Sequence, residues 1–225
     1  MEQPGRLAAG LLLSNLLNKQ LPTTQTRRPV FPPRHVLFLG DSPKSVPLRL
    51  LLLRHAKSDW SGDLGDHDRP LAPRGRKAAP RMGAFMRKKG YVPAAVLCST
   101  AERTKETLAL VLSALGADPK VRYERALYLA EWPGLLAAMQ TAAAADTPLL
   151  MIGHNPGIEQ LAIALAAQPE DAAERARRDQ LERKFPTAGL AVLDFGAPHW
   201  DAVKPRSGHL IDFVRPRDIG GPAAS

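Results

Sequence analysis

Leu48-Arg49-Leu50-Leu51-Leu52-Leu53-Arg54-His55 is the stretch from which the rest of the chain can be read. Its first six residues, five of them Leu, form an apolar run of strand length. Arg54-His55 closes the run before the small or polar Ala56, Lys57 and Ser58. A buried strand with this ending carries an imidazole and a guanidinium to the C-terminal edge of a sheet, where open α/β sheets bind ligands. A neutral imidazole can attack phosphorus, and a guanidinium beside it can hold phosphate oxygens in a planar two-pronged grip. Alone the dipeptide is a weak signal, because a His after a strand is commonly an ordinary polar residue.

Two further runs end in the same manner. Pro148-Leu149-Leu150-Met151-Ile152 leads into Gly153-His154-Asn155-Pro156-Gly157, followed by an apolar helical pattern at Ile158, Leu161, Ala162 and Leu165. Ala94-Ala95-Val96-Leu97-Cys98 leads into Ser99-Thr100-Ala101-Glu102-Arg103. There Ser99 or Thr100 is the expected helix cap, with Arg103 on the first turn. Helix N-termini attract phosphate. Two His and two Arg, each just past a strand end, make a pocket for a phosphoryl group. Competing readings are a surface Arg103 paired with Glu106 at i+3, and a His154 that only caps the helix near Pro156.

As a set, Arg54-His55-Ala56, Ser99-x3-Arg103-x3-Thr107 and Gly153-His154 resemble the signatures of the histidine phosphatase (phosphoglycerate mutase-like) superfamily. Leu53-Arg54-His55-Ala56-Lys57-Ser58-Asp59-Trp60, Asp66-His67-Asp68-Arg69-Pro70-Leu71, Gly153-His154-Asn155-Pro156-Gly157 and Phe185-Pro186-Thr187-Ala188 resemble its SixA-type phosphohistidine phosphatase branch. The likeness runs from about Leu48 to about Asp218. Ala56 stands where the superfamily usually has Gly, which is tolerable where the backbone keeps φ below zero.

The resemblance implies a three-layer α/β domain and a two-step phosphoryl transfer through phospho-His55. Arg54 and Arg103 would hold the equatorial oxygens, and His154 would supply a third donor. Ser58, Ser61 and Thr187 are further candidates for substrate contact, with a turn-forming role the alternative for Ser58 and Ser61. Esters have poor leaving groups and call for a carboxylic acid. Glu131 is the candidate, with Asp59, Asp66 and Asp68 as alternatives. A phosphohistidine substrate relaxes this need, because its P–N bond is labile and protonated imidazole leaves readily. The expected substrate is therefore phosphohistidine on a signalling or phosphotransfer protein. The alternatives are a small phosphoester, handled by a phosphatase or mutase, and a phosphate-binding adaptor without turnover.

Composition bounds these readings. No apolar run approaches the ~20 residues of a membrane helix. The single Cys98 allows no intrachain disulfide, which fits a reducing compartment or indifference to redox, and a cytoplasmic location is expected. Cys98 itself reads as a buried structural thiol. Net charge is +9, of which residues 1–47 carry +4, six Lys and Arg against two Asp and Glu. A basic surface steers anionic partners, but no nucleic-acid motif or aromatic-basic interleaving accompanies it. No cofactor and no metal is implied, since Arg and His already supply positive charge and no carboxylate cluster has metal spacing. A monomer or weak dimer is expected, with no nucleic-acid or membrane partner.

Residues 1–47, rich in Pro, read as an extension outside the domain, either disordered or a start assigned too far upstream; an organelle presequence or secretion signal is the alternative. Residues 48–218 read as the domain and 219–225 as a tail. Strands are expected at 48–53, 95–98, 121–123, 148–152, 188–195, 199–203 and 209–214. Helices are expected at 75–89, 101–115, 132–144 and 157–167, with Gly90 and Gly116 as stops. The charged run 170–184 reads as a solvated helix or a lid. The alternation of strand and helix predicts a single domain with a mostly parallel sheet flanked by helices on both faces.

Overall fold

Leucine on both faces of one strand requires a core on both faces of the sheet, and the first strand has one. In a computed structural model describing residues 47–219, β1 (Leu48–Arg54) is central, with β4 (Leu149–Gly153) parallel on one side and β5 (Leu190–Phe195) antiparallel on the other. Leu50 and Leu52 face one core, Leu51 and Leu53 the other. With β2 (Ala95–Ser99), β3 (Lys120–Glu124) and β6 (Gly208–Val214), the six-stranded sheet runs β3-β2-β4-β1-β5-β6. The expected extension 1–47, Pro47 apart, and the end of the tail lie outside the described residues.

Helices α1 (Pro73–Lys89) and α2 (Glu102–Leu115) cover one face, burying Met82, Met86, Leu108 and Val111. Helices α3 (Trp132–Gln140), α4 (Gly157–Leu165) and α5 (Ala172–Arg183) cover the other with Leu135, Met139, Ile158, Leu161 and Leu181. The three-layer α/β expectation holds, with β5 and β6 as its antiparallel part. Gly90 and Gly116 stop α1 and α2 at φ 72° and 71°, the left-handed conformation that glycine takes without a Cβ penalty.

Several expectations shift. Residues 199–203 contain no strand but a short 3-10 helix, Trp200–Ala202, because Trp200 and Val203 are both buried and lie three apart, not two. Helix α3 stops at Gln140, where Thr141 Oγ1 donates to the Ala138 carbonyl and Asp146 accepts from the Ala143 amide. β5 begins at Leu190, because Ala188 takes a positive φ of 58° and directs its N–H to the carbonyls of Arg54 and His55. The 170–184 run is a docked helix. Asp171 caps α5, and buried Glu174 accepts from the amides of Glu170 and Leu210. Arg177 donates to the Leu210 carbonyl.

This topology gathers the chemistry at one edge. The C-terminal ends of β1, β2 and β4, the start of β5 and the end of β6 all emerge together.

Candidate active site

His55 follows the last residue of β1 and is held from both sides. Its amide donates to the Gly153 carbonyl, and its carbonyl accepts from Ala188. Nδ1 lies 2.7 Å from the Ala56 carbonyl oxygen, which can only accept. Nδ1 therefore carries the proton, and Nε2 presents a lone pair. Burial, aided by the charges of Arg103, Arg54 and Arg69, pushes the imidazole pKa down to about 4, against a smaller opposing pull from the Ala56 carbonyl. The ring is neutral at neutral pH, as a nitrogen nucleophile requires. Ala56 is absent from the positive-φ residues, so the usual Gly is not needed there.

His154 follows β4, its ring centroid 5.1 Å from that of His55. Nδ1 is 3.3 Å from Arg103 Nη2, which can only donate, so Nε2 carries the proton toward Ser99 Oγ at 2.9 Å. Burial first, then His55 and Arg103, push its pKa down to about 3.

Each position of Ser99-x3-Arg103-x3-Thr107 has a separate task. Ser99, expected as a helix cap, is directed instead to His154; α2 is preceded by Ala101 without a side-chain cap. Arg103 is almost fully buried and donates to the backbone and carboxylate of Asp66, so the pairing with Glu106 does not form. Glu106 instead accepts from the Leu71 amide and Arg76. Thr107 Oγ1 donates to the Arg103 carbonyl and accepts from the Ala56 amide at 3.0 Å, tying α2 to the loop behind His55. Arg54 donates from Nη1 to the Phe185 carbonyl at 2.7 Å.

Arg69 is the residue that the reading of the sequence passed over. It is buried, donates to Ser58 Oγ, the Asp59 carbonyl and Asp66, and lies over the Trp60 indole, 3.3 Å from the ring centroid. The signal was present in Asp66-His67-Asp68-Arg69-Pro70-Leu71, but nothing in that string says that its Arg turns toward His55. The Nε atoms of Arg54, Arg69 and Arg103 are all buried without a partner. Buried donors are ordinarily satisfied. The three guanidinium groups act by charge on the His55 ring, and guanidinium forks suit an anion with several acceptor oxygens.

The remaining candidates separate clearly. Ser58 is buried beside Arg69. Ser61 is exposed and closes a turn on Asp59 through its amide and hydroxyl, both at 2.9 Å, the alternative weighed for it. Thr187 lines a neighbouring cavity with Lys57. Glu131 is exposed and precedes α3, making no side-chain cap bond. Asp68 is exposed beside His67. Asp66 alone reaches the guanidinium cluster, and it is unsuited to donate a proton. The Tyr128 hydroxyl, with Arg69 and Arg103, holds its carboxyl well below the usual range, so it is ionised. Burial pushes the Cys98 thiol up to about 12, consistent with an inert core residue.

An α/β fold with a lone-pair imidazole among buried guanidinium donors defines a class of proteins that handle phosphoryl groups. The sequence profile of the histidine phosphatase superfamily (branch 1) matches residues 50–178, and the chain belongs to that superfamily. It is 39% identical over 165 residues to the uncharacterized protein Rv1276c of Mycobacterium tuberculosis (strain H37Rv), covering 73% of this chain and all of that one. A structure from Nakamurella multipartitia that carries the name phosphohistidine phosphatase SixA aligns with a TM-score of 0.64 at 31% identity, over 76% of this chain and 96% of that one. The protein histidine phosphatase SixA complexed with tungstate shares the fold, with a TM-score of 0.61 at 18% identity over 76% of this chain and 99% of that one.

Proposed function

We propose that this chain is a phosphatase acting through phospho-His55, with protein-borne phosphohistidine as its substrate. The observation that carries the reading is the unprotonated Nε2 of His55 within the field of the Arg54, Arg69 and Arg103 guanidinium groups. In the first step Nε2 attacks phosphorus, the substrate's P–N bond breaks, and the departing imidazole takes its proton from solvent. In the second step water attacks phosphorus, the bond to Nε2 breaks, and inorganic phosphate leaves with His55 restored. Arg54, Arg69 and Arg103 stabilise charge spread over the transferring oxygens, so the work is positioning and electrostatics. His154 donates to Ser99 and accepts from Arg103, so it positions that guanidinium in place of the third-donor role expected of it.

Phosphohistidine is favoured over an ester because the carboxylate nearest the cluster, Asp66, is held ionised and cannot protonate an alkoxide. A cytoplasmic location and a monomer or weak dimer complete the proposal; among the described residues no helix is long and apolar enough to cross a membrane. The test is phosphate release in EDTA from a histidine-phosphorylated carrier protein, from phosphoserine and from small phosphoesters, with His55→Ala alongside. Release from phosphohistidine alone, lost in His55→Ala, is the expected result. Preference for an ester would move the assignment to a small-molecule phosphatase and direct attention to Glu131. A folded protein that releases nothing would leave a phosphate-binding adaptor.

A further inference from the structure

Beside the phosphate pocket lies a second concavity of about 330 Å³, and its walls are basic. Lys57 enters from the loop after His55, Arg74 from the first turn of α1, Arg183 and Lys184 from the end of α5, and Arg215 and Arg217 from the segment after β6. Among the described residues no carboxylate lines it. Asp218 neutralises Arg215 through a two-pronged pair, whereas Lys57, Arg74, Arg183 and Lys184 are exposed and take no ion pair within the described chain. Like charges gathered on a shared concavity repel one another, an arrangement that an anionic partner relieves.

The topology places this concavity on the edge that carries the phosphate pocket. Leu190, at the start of β5, pairs with Leu53 of β1 and with Val214 of β6. Two strand spacings separate the tips of β1 and β6, roughly 10 Å. Thr187 and Lys57 stand between the two sites, two residues or fewer from groups that hold His55.

We propose that this basic cavity docks an acidic segment of the phosphoprotein whose phosphohistidine enters the neighbouring pocket. The inference rests on the function proposed above and adds the recognition of its substrate. The chemistry of the walls selects this occupant. A discrete phosphate site uses buried forks and aligned backbone amides. Here the charges are long, exposed and flexible, their stems lie beside Ala78, Pro186 and Pro216, and Thr187 and Gln180 are the uncharged polar lining. Such a surface suits several carboxylates on a peptide with some apolar content, and it acts on encounter and orientation. The chain's own first 47 residues carry +4 and are not the complementary partner.

The test uses the full chain and the double variant R74E/R183E, which reverses two exposed charges away from the His55 cluster. Binding of a fluorescein-labelled Asp/Glu-rich peptide is followed by anisotropy at low and physiological salt, with a neutral peptide of equal length and inorganic tripolyphosphate as competitors. The expected result is binding of the acidic peptide that weakens about tenfold or more in R74E/R183E and falls with salt. R74Q/R183Q should lie between, and inorganic phosphate affinity should be unchanged in both variants. On a histidine-phosphorylated carrier with an acidic face, KM should rise by a similar factor with kcat unchanged. Equal peptide binding by wild type and R74E/R183E overturns the proposal. So does absence of acidic-peptide binding together with direct binding of tripolyphosphate by calorimetry, which would mark a small-polyanion site. Intact, charge-dependent peptide binding with no phosphate release from any substrate would leave the docking surface standing and refute the phosphatase reading alone.

Discussion

At the scale of single residues, the chemistry depends on which nitrogen of each ring is occupied. The Ala56 carbonyl takes the proton-bearing side of His55, and Ser99 takes that of His154. Arg69 makes three polar contacts and stacks on Trp60, so its guanidinium plane is held beside Ser58 with Nε left unpaired. Removing a preorganised donor commonly costs on the order of 10²–10³ in rate. Arg69→Ala and Arg103→Ala should each lower kcat/KM for phosphohistidine within that range. Arg69→Lys should recover little, because a point charge reproduces neither the fork nor the stack. Steady-state phosphate release decides this, and a loss below tenfold would remove Arg69 from the site.

The two imidazoles also set a pH dependence of stability. Both pKa values are depressed in the folded chain, to about 4 for His55 and about 3 for His154, from an ordinary value of 6.5. Below pH 6.5 the unfolded chain binds protons that the folded one refuses, so stability falls as pH drops through 6.5 toward 4 and is flat on this account above 6.5. Each ring contributes at most about 1.4 kcal/mol per pH unit in that window. Urea unfolding at pH 7, 6 and 5 should show the decline, and His55→Asn/His154→Asn should flatten it. A wild-type profile without slope between pH 6.5 and 5 would mean that the rings are not held neutral by the fold.

At the scale of elements, two contacts keep helices where the site needs them. A Cβ on Gly75, in the first turn of α1, would come 2.2 Å from the Lys57 carbonyl oxygen, on the loop directly behind His55. The backbones touch there, and the Ala72 amide donates to that same carbonyl. Gly75→Ala must displace the loop or the helix, with a cost of about 1–3 kcal/mol and a loss of activity out of proportion to it. Thermal unfolding and phosphate release, measured together, separate the two effects. Glu174 plays the matching part for α5, as a buried carboxylate between the Leu210 and Glu170 amides. Glu174→Ala strands both donors and should destabilise by about 1–3 kcal/mol, read as a lowered urea midpoint. The charged 170–184 run suggested a solvated helix or lid because ten of its side chains are charged. Periodicity does not reveal that one of these carboxylates is an internal ligand for the edge strand β6.

At the scale of the whole molecule, the sheet is a device for bringing distant chain segments to one edge. His55, Arg103 and His154 are separated by 48 and 51 positions, yet lie within hydrogen-bond or ring-contact distance of one another. Three guanidinium groups supply the charge that a metal ion would otherwise bring, so phosphate release should be unaffected by EDTA; a loss restored by a divalent cation would contradict that.

The sequence by itself determined the layers and the ends of β1, β2 and β4, and it marked Arg54, His55, Arg103 and His154 as candidates, because apolar runs, helix stops and short motifs are local patterns. That Ala56 needs no positive φ is a structural result. Only the tertiary structure decided that Arg69 and Asp66 join the site, that Ser99 turns to His154, that Ser61 turns away to Asp59, and that Lys57, Arg74 and Arg183 share a cavity. Those outcomes depend on where a loop returns and which partner a side chain meets, as Arg103 meets Asp66 from 37 positions away and Ser99 meets His154 from 55. Hydrogen bonds and charge pairs act at that range only after the hydrophobic layers have set the distance.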